Sequence, residues 1–408
     1  MRRGRPELLI PASSLEVLKT AVIFGADAVY IGGEAFGLRA KAKNFSMEDM
    51  KEGIAFAHAH GARVHVTVNI LAHNDDLPGV EEYLKELKEI GPDALIIADP
   101  AIFQMAKDIC PGIERHISTQ ANNTNYGTYL FWWKQGAKRV VSARELSLKE
   151  IREIRDRIPE EMEIESLSTA LCASPIREGA CSAIILRAGT RTRALHHPCR
   201  WKYAVVEETR PGEYMPVYEN ERGTYIFNSK DLCMIGHIPE MIEAGIDSFK
   251  IEGRMKTALY VATVARTYRK AIDDYLADVQ RYQKNMPWYL DQISNCTYRQ
   301  FTTGFYFGKP GDESQIYDSN TYVKEYTYLG IIGGEKDGLY RIEQRNKFSV
   351  GETIEIMKPD GQNIETAVQR IVDEEGNEQE SAPHPKQVLY VELDHEASQY
   401  DILRRAES

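Results

Sequence analysis

Along the first two-thirds of the chain, short apolar runs alternate with longer stretches whose apolar residues recur every three or four positions. ELLIPA leads into SLEVLKTAVIFGA, DAVYIGG into SMEDMKEGIAFAHAHG, ARVHVTVNIL into GVEEYLKELKEIG, and ALIIADP into AIFQMAKDIC. RHISTQ precedes NYGTYLFWWKQG, RVVSA precedes SLKEIREIRDRI, EIESLST opens a long irregular segment, and SFKIEG precedes TALYVATVARTYRKAIDDYL. Eight strand-then-helix units predict a closed parallel (β/α)8 TIM-like barrel rather than an open doubly wound sheet. The strands read as nearly continuous apolar runs, which predicts burial on both faces. From about Asn320 the pattern changes to short strands broken by Gly, Asp and Asn turns, with no helical period between them, which predicts a small all-β barrel. The expected division is a catalytic barrel over 1–280 with a long connection at 167–245 between strands seven and eight, a linker at 281–319, and a β domain at 320–408.

Composition narrows the class. The chain has 408 residues, 43% hydrophobic and 27% charged, which describes a globular protein. No apolar stretch reaches the length that spans a bilayer, and the basic N-terminal residues precede no signal-like apolar run, so no membrane association and a cytoplasmic location are expected. A net charge of -11 argues against a generally basic nucleic-acid binder and leaves room only for a local basic patch.

In a barrel of this class the chemistry lies at the carboxyl ends of the strands. The residues expected there are Glu34 and Arg39 after strand two, Asn69 on strand three, and Asp99 after strand four. Ser118, Thr119, Gln120 and Asn122 follow strand five, and Arg144 and Glu145 follow strand six. Glu252, Arg254 and Lys256 follow strand eight and are the expected catalytic group, since the two cations suit a carboxylate or phosphate. His58 and His60 are two apart on a helix and do not share a face, which disfavours a metal pair. Neither G-x-S-x-G nor H-E-x-x-H occurs.

The irregular segment SLSTALCASPIREGACSAIILRAGTRTRALHHPCRWKY raises a metal question of its own. Cys172, Cys181 and Cys199, with Cys233 in SKDLCMI, could converge on an iron–sulfur cluster or a zinc ion, although the spacing lacks a close C-x-x-C pair. Cys110 and Cys296 read as small buried apolar residues.

ELLIPA, GADAVYIGG, HISTQ, HPCRWKY, FNSKDLCMI, DSFKIEGRMK and TTGFYFG, in this order, resemble peptidase family U32, and within it the bacterial tRNA hydroxylation branch. The resemblance implies prephenate-dependent 5-hydroxylation of wobble uridine in tRNA, a four-cysteine [4Fe–4S] cluster, and a homodimer or a related U32 partner. Cys233 matches a cluster-ligand position. Cys199 matches a neighbouring cysteine, and Cys172 lies one residue from a family ligand. A peptidase, and a non-catalytic assembly protein bridged by zinc, are the alternatives.

The chain departs from the family where H-G-A, Y-S-G-R-C and R-G-x-C are expected. With codons chosen among the synonyms, reading the third base of one codon with the first two of the next turns Leu167–Ala170 into Phe-Val-His-Gly. The same shift turns Pro175–Ala180 into Tyr-Ser-Gly-Arg-Cys. Leu167 to about Leu195 is thus expected to be a reading outside the family's frame, at the cost of the cluster ligands. A makeshift site that includes His196 is the remaining possibility for metal.

Overall fold

Six loops end on a residue whose side chain accepts a hydrogen bond from the first turn of the helix that follows: Ser14, Ser46, Asp99, Asn125, Ser147 and Thr257. These N-caps satisfy amide groups that a helix start leaves unpaired, and they set where each helix begins. The computed structural model describes residues 4–37, 44–170, 230–253, 256–295, 301–308 and 326–407, with the backbone of four short strands between 205 and 225.

Eight parallel strands close into a barrel. In chain order the first seven are β1 (Glu7–Pro11), β2 (Ala28–Gly32), β3 (Arg63–Val68), β4 (Ala94–Ile97), β5 (Glu114–Ile117), β6 (Arg139–Val141) and β7 (Glu163–Ala170). Four short strands follow, β8 (Val205–Val206) paired with β9 (Tyr214–Met215), and β10 (Tyr218–Asn220) paired with β11 (Gly223–Tyr225). After β12 (Asp231–Cys233) comes β13 (Ser248–Ile251), which pairs with both β1 and β7 and closes the ring. Helices α1 (Leu15–Ile23), α2 (Met47–Ala59), α3 (Leu77–Ile90), α4 (Pro100–Ile109), α5 (Tyr126–Gln135) and α6 (Leu148–Arg155) fill the crossovers, as the sequence predicts. A short α7 (Ile238–Glu243) precedes β13, and the long α8 (Ala258–Ala277) follows it.

The expectation of apolar strands needs correction. Leu8 and Ile10 of β1, Val64, Val66 and Val68 of β3, Ile164 of β7 and Phe249 of β13 all join the core beneath the helices. Leu9 instead falls into a small separate cluster with Ala28, Tyr30 and Ile96. Side chains alternate across a strand, so this second set lines the barrel interior. The residues of the same parity include Glu7, His65, His116, Arg139, Glu165 and Lys250, so the barrel is apolar outside and charged within.

Two further features were not legible as elements. The stretch expected as a linker at 281–319 carries most of α9 (Val279–Ser294), whose Tyr282, Tyr289 and Ile293 are buried in the main core. It also carries β14 (Phe301–Thr302), which extends the sheet beside β12. Strand β12 itself runs antiparallel to the end of β7, with Cys233 opposite Thr169 and Leu232 opposite Ala170.

The C-terminal strands are β15 (Tyr326–Lys336), β16 (Leu339–Glu343), β17 (Thr353–Met357), β18 (Asn363–Val372), β19 (Glu378–Gln379), β20 (Val388–Leu393) and β21 (Ile402–Ala406). They form an antiparallel sheet in the order β17-β21-β15-β16-β20-β18-β19, and β17 also pairs with β18, which closes it. Tyr328, Met357 and Ile402 extend into the main core. Arg266 of α8 donates to the carbonyls of Lys358 (3.0 Å) and Gln362 (3.3 Å) and to Asn363 Oδ1 (2.8 Å). Both apolar and polar contacts therefore seat this β barrel on the helical layer.

Candidate active site

The barrel interior holds a continuous line of charged and hydrogen-bonded side chains. Arg139, only 2% exposed, donates to Glu7 Oε2 at 3.1 Å, Glu163 Oε2 at 2.8 Å and Glu165 Oε2 at 3.2 Å. Glu165, fully buried, accepts from Lys250 Nζ at 2.7 Å. The Lys250 ammonium lies 4.4 Å from the centre of the Tyr30 ring. Tyr30 Oη then lies 2.7 Å from Glu252 Oε2 and 3.1 Å from the carbonyl of Ile251. The line therefore runs from Glu7, the first residue of β1, to Glu252 at the carboxyl end of β13.

The electrostatics explain why these charges persist in so buried a place. Burial opposes the negative charge on Glu7, yet the Arg139 guanidinium outweighs it and holds the carboxyl well below its usual range. Burial likewise opposes the Arg139 charge, and Glu7, Glu165 and Glu163 more than restore it. Paired in this way the ions are tolerated, whereas removal of one partner leaves uncompensated buried charge. Beside them His65 and His116 meet edge to face, ring centres 4.8 Å apart. Burial pushes both imidazoles well below their ordinary value, so they are neutral.

At the mouth, the turn after β13 positions the expected catalytic group. Gly253 has φ +153°, and a Cβ there would approach Tyr260 Cε1 to 3.0 Å and Lys256 Cγ to 3.3 Å. Only glycine fits this turn without displacing them. The amide of Lys256 closes the turn onto the carbonyl of Gly253 (2.9 Å), and its ammonium lies 5.0 Å from the centre of the Tyr260 ring. The amide of Glu252 donates to the carbonyl of Thr169 (2.8 Å), tying the end of β13 to β7. Glu252 and Lys256 are thus brought to one edge of the mouth, next to the N-terminus of α8. Arg254 and Arg39 lie outside the described residues.

The other expected mouth residues have local duties. Asp99 caps α4 by accepting from the amides of Ala101 and Ile102. Ser118 caps a short turn, Thr119 donates to the carbonyl of Ser142 (3.1 Å), and Asn122 takes the left-handed conformation that ends the turn. Glu34 is exposed, and Gln120, Arg144 and Glu145 are half-buried. The Asn69 Oδ1 atom is buried without a hydrogen-bond partner among the described residues, and it remains a candidate for contact with a ligand. His58 meets Asp93 (2.9 Å) and His60 meets the carbonyl of Phe56 (2.8 Å), so the two histidines do not converge.

Cys110 is buried as expected, while Cys172, Cys181, Cys199, His196 and Cys296 lie outside the described residues. Of the stretch expected to be out of frame only 167–170 is described, and it completes β7. Cys233 is buried, with its sulfur 3.8 Å from Tyr268 Oη. That hydroxyl also binds Thr169 Oγ1 (2.6 Å), the amide of Met234 (3.2 Å) and the carbonyl of Ser168 (2.8 Å). Burial pushes the Cys233 thiol up when no metal is bound. Among the described residues no three His, Cys, Asp or Glu side chains are placed to hold a metal ion. Cys233 alone does not make a ligand set for a cluster or for zinc.

Tyr30, Lys250, Glu165 and Arg139 were not among the sequence candidates. For Glu165 and Lys250 the signal that could have found them is alternation: charged or polar residues recur at every second position of EIES and SFKIE, as they do in RVHVTV.

Residues 13–316 match the profile of peptidase family U32, and residues 324–404 match that of the peptidase family U32 C-terminal domain. The chain is 38% identical to tRNA hydroxylation protein P1 of Bacillus subtilis, over 98% of this chain and 95% of the relative. It is 36% identical to tRNA hydroxylation protein P of Escherichia coli, over 93% of this chain and 92% of the relative. An uncharacterized protease of Methanocaldococcus jannaschii is also 36% identical, over 86% of each chain. The family model matches cover most of the chain and these relatives span nearly its whole length, so the chain belongs to peptidase family U32.

Proposed function

We propose that this protein is an RNA-modifying enzyme that hydroxylates tRNA, with prephenate as its small-molecule substrate and the wobble uridine as its target. The observation that carries this reading is the near full-length similarity to two relatives named as tRNA hydroxylation proteins. The mouth geometry agrees with it. Lys256 stands just before the N-terminus of α8, whose cap is Thr257, and an ammonium beside a helix start favours an anionic ligand. Arg254 would add a second cation from outside the described residues. The acceptor Glu252 sits on the same edge and would bind a hydroxyl of the substrate.

A [4Fe–4S] cluster would take Cys233 from the described residues and its other thiolates, Cys172 and Cys199 among them, from outside. An iron and sulfide assay on purified protein tests this directly, with zinc content separating the assembly-protein alternative. The protein is read as cytoplasmic and working as a homodimer or with a related family partner. Among the described residues no helix is long and apolar enough to cross a membrane. The peptidase alternative has the archaeal relative's name behind it. Ser118 caps a turn and Cys233 faces Tyr268, so neither is arranged as an activated nucleophile.

The deciding experiment is mass spectrometry of tRNA nucleosides from a deletion strain carrying this gene or an empty vector. Restoration of 5-hydroxyuridine is expected. Restoration of none, with the protein folded and expressed, overturns the reading. Resequencing codons 160 to 205 accompanies it, because those codons decide which cysteines exist.

A further inference from the structure

Glu252 is expected at the mouth from its place after β13, but a carboxylate on a turn is ordinarily free to swing. Here one oxygen is fixed from below. Tyr30, 3% exposed inside the barrel, has a single phenolic proton, and both the Ile251 carbonyl at 3.1 Å and Glu252 Oε2 at 2.7 Å lie within its reach. A charged acceptor at the shorter distance takes the proton. The Lys250 ammonium 4.4 Å from the ring centre draws electron density from the phenol, which makes its O–H the stronger donor. Lys250 cannot drift away, because Glu165 holds it at 2.7 Å and Arg139 holds Glu165. Arg139 is anchored in turn by Glu7 at the far end of the barrel.

We propose that Tyr30 is a positioning residue, supported by Lys250, that orients the Glu252 carboxylate across the barrel mouth for a substrate bound there. The charged line beneath gives the phenol a fixed place and a polarised hydroxyl. The Glu252 carboxylate is therefore held from below in one orientation at the mouth. The inference deepens the RNA-hydroxylation reading and depends on it for its kinetic arm only.

The test is Tyr30→Phe, which removes one oxygen and keeps the ring. Its first readout is infrared spectroscopy: the wild-type spectrum minus that of Glu252→Gln isolates the Glu252 carboxylate stretch. In Tyr30→Phe that band is expected to move toward the frequency of a carboxylate in water, and an unmoved band overturns the proposal. The second readout is turnover on tRNA. Loss of a hydrogen bond to a charged group predicts a kcat lower by about tenfold with KM little changed. Unaltered turnover in the variant, with an active wild type, also overturns it. If the band moves while neither protein hydroxylates RNA, the positioning stands and the RNA reading falls. Should Tyr30→Phe fail to fold, 3-fluorotyrosine at this position keeps the contacts and strengthens the donor. The Glu252 band must then move in the opposite direction, and no movement overturns the proposal.

Discussion

One chain closes two β barrels and fills them in opposite ways. The interior of the large barrel holds Glu7, Glu165, Arg139, Lys250 and a histidine pair. The small one is filled by Leu329, Ile342, Phe348, Ile354, Ile356, Leu389 and Leu403. The difference follows from what lies outside each wall. The large barrel is wrapped by helices, and its hydrophobic core forms between strands and helices, so the interior is released from the task of stability. No helix occurs among the described residues between β15 and β21, so apart from the face where Tyr328, Met357 and Ile402 meet the main core, the small barrel buries its apolar surface in its interior. A barrel with a second apolar layer can therefore carry a functional, charged interior that a lone small barrel cannot.

The largest expected way to break this contrast is Arg139→Met. It leaves Glu7, Glu163 and Glu165 facing one another in a buried space, and a loss of about 3–5 kcal/mol in urea unfolding is expected. Because those carboxyls can then take up protons, the variant should recover stability as pH falls, the reverse of the wild type. A variant that keeps wild-type stability at neutral pH would show that the interior is far wetter than its burial implies.

Next in size is the wild type's own pH dependence. His65 and His116 have folded values pushed well below 6.5, chiefly by burial. The unfolded chain therefore binds protons first, and the stability they contribute is present above pH 6.5 and lost as pH falls below it. Each depressed group contributes a slope of up to about 1.4 kcal/mol per pH unit. Glu7, also depressed, adds a loss in the same direction below its ordinary 4.5. His65→Gln should flatten the first segment in melts scanned from pH 7 to 5, and an unchanged slope would count against a neutral buried pair.

The small barrel should respond only to shape. Ile342→Val should cost about 1 kcal/mol with no change in pH slope, measured by denaturant unfolding of the whole chain. The smallest effect is expected from Asp99→Ala, which removes the α4 cap for about 0.5–1 kcal/mol and leaves turnover unchanged. A collapse of activity there would return Asp99 to the catalytic group.

Much of this was legible in the sequence, because every large-barrel strand except β7 was followed by a helix of clear period. ELLIP, ALII and SFKI all fell where expected. What was lost was the inner parity: runs such as RVHVTV were read as apolar overall, although every second residue differs from its neighbours. Helix α9 escaped because Pro287 lies inside it and its buried face is made of Tyr282, Tyr289 and Gln292 with Ile293 as its one aliphatic residue. At the site, Glu252 and Lys256 were legible from position after a strand. Tyr30 was not, because its contact with Glu252 brings together β2 and β13, which flank β1, and no pattern within one strand records that contact.

The antiparallel pairing of β7 with β12 bears on how such a chain can change over time. Ala170 and Leu232 are neighbours in the sheet although the whole cysteine-bearing segment separates them in sequence. Departure and return therefore share one doorway, and the segment behaves topologically as a side branch clipped to the wall. Residues between Ala170 and Leu232 can therefore be rewritten without a change in the pairing of the eight barrel strands, whereas a change that starts at Leu167 also alters the last residues of β7.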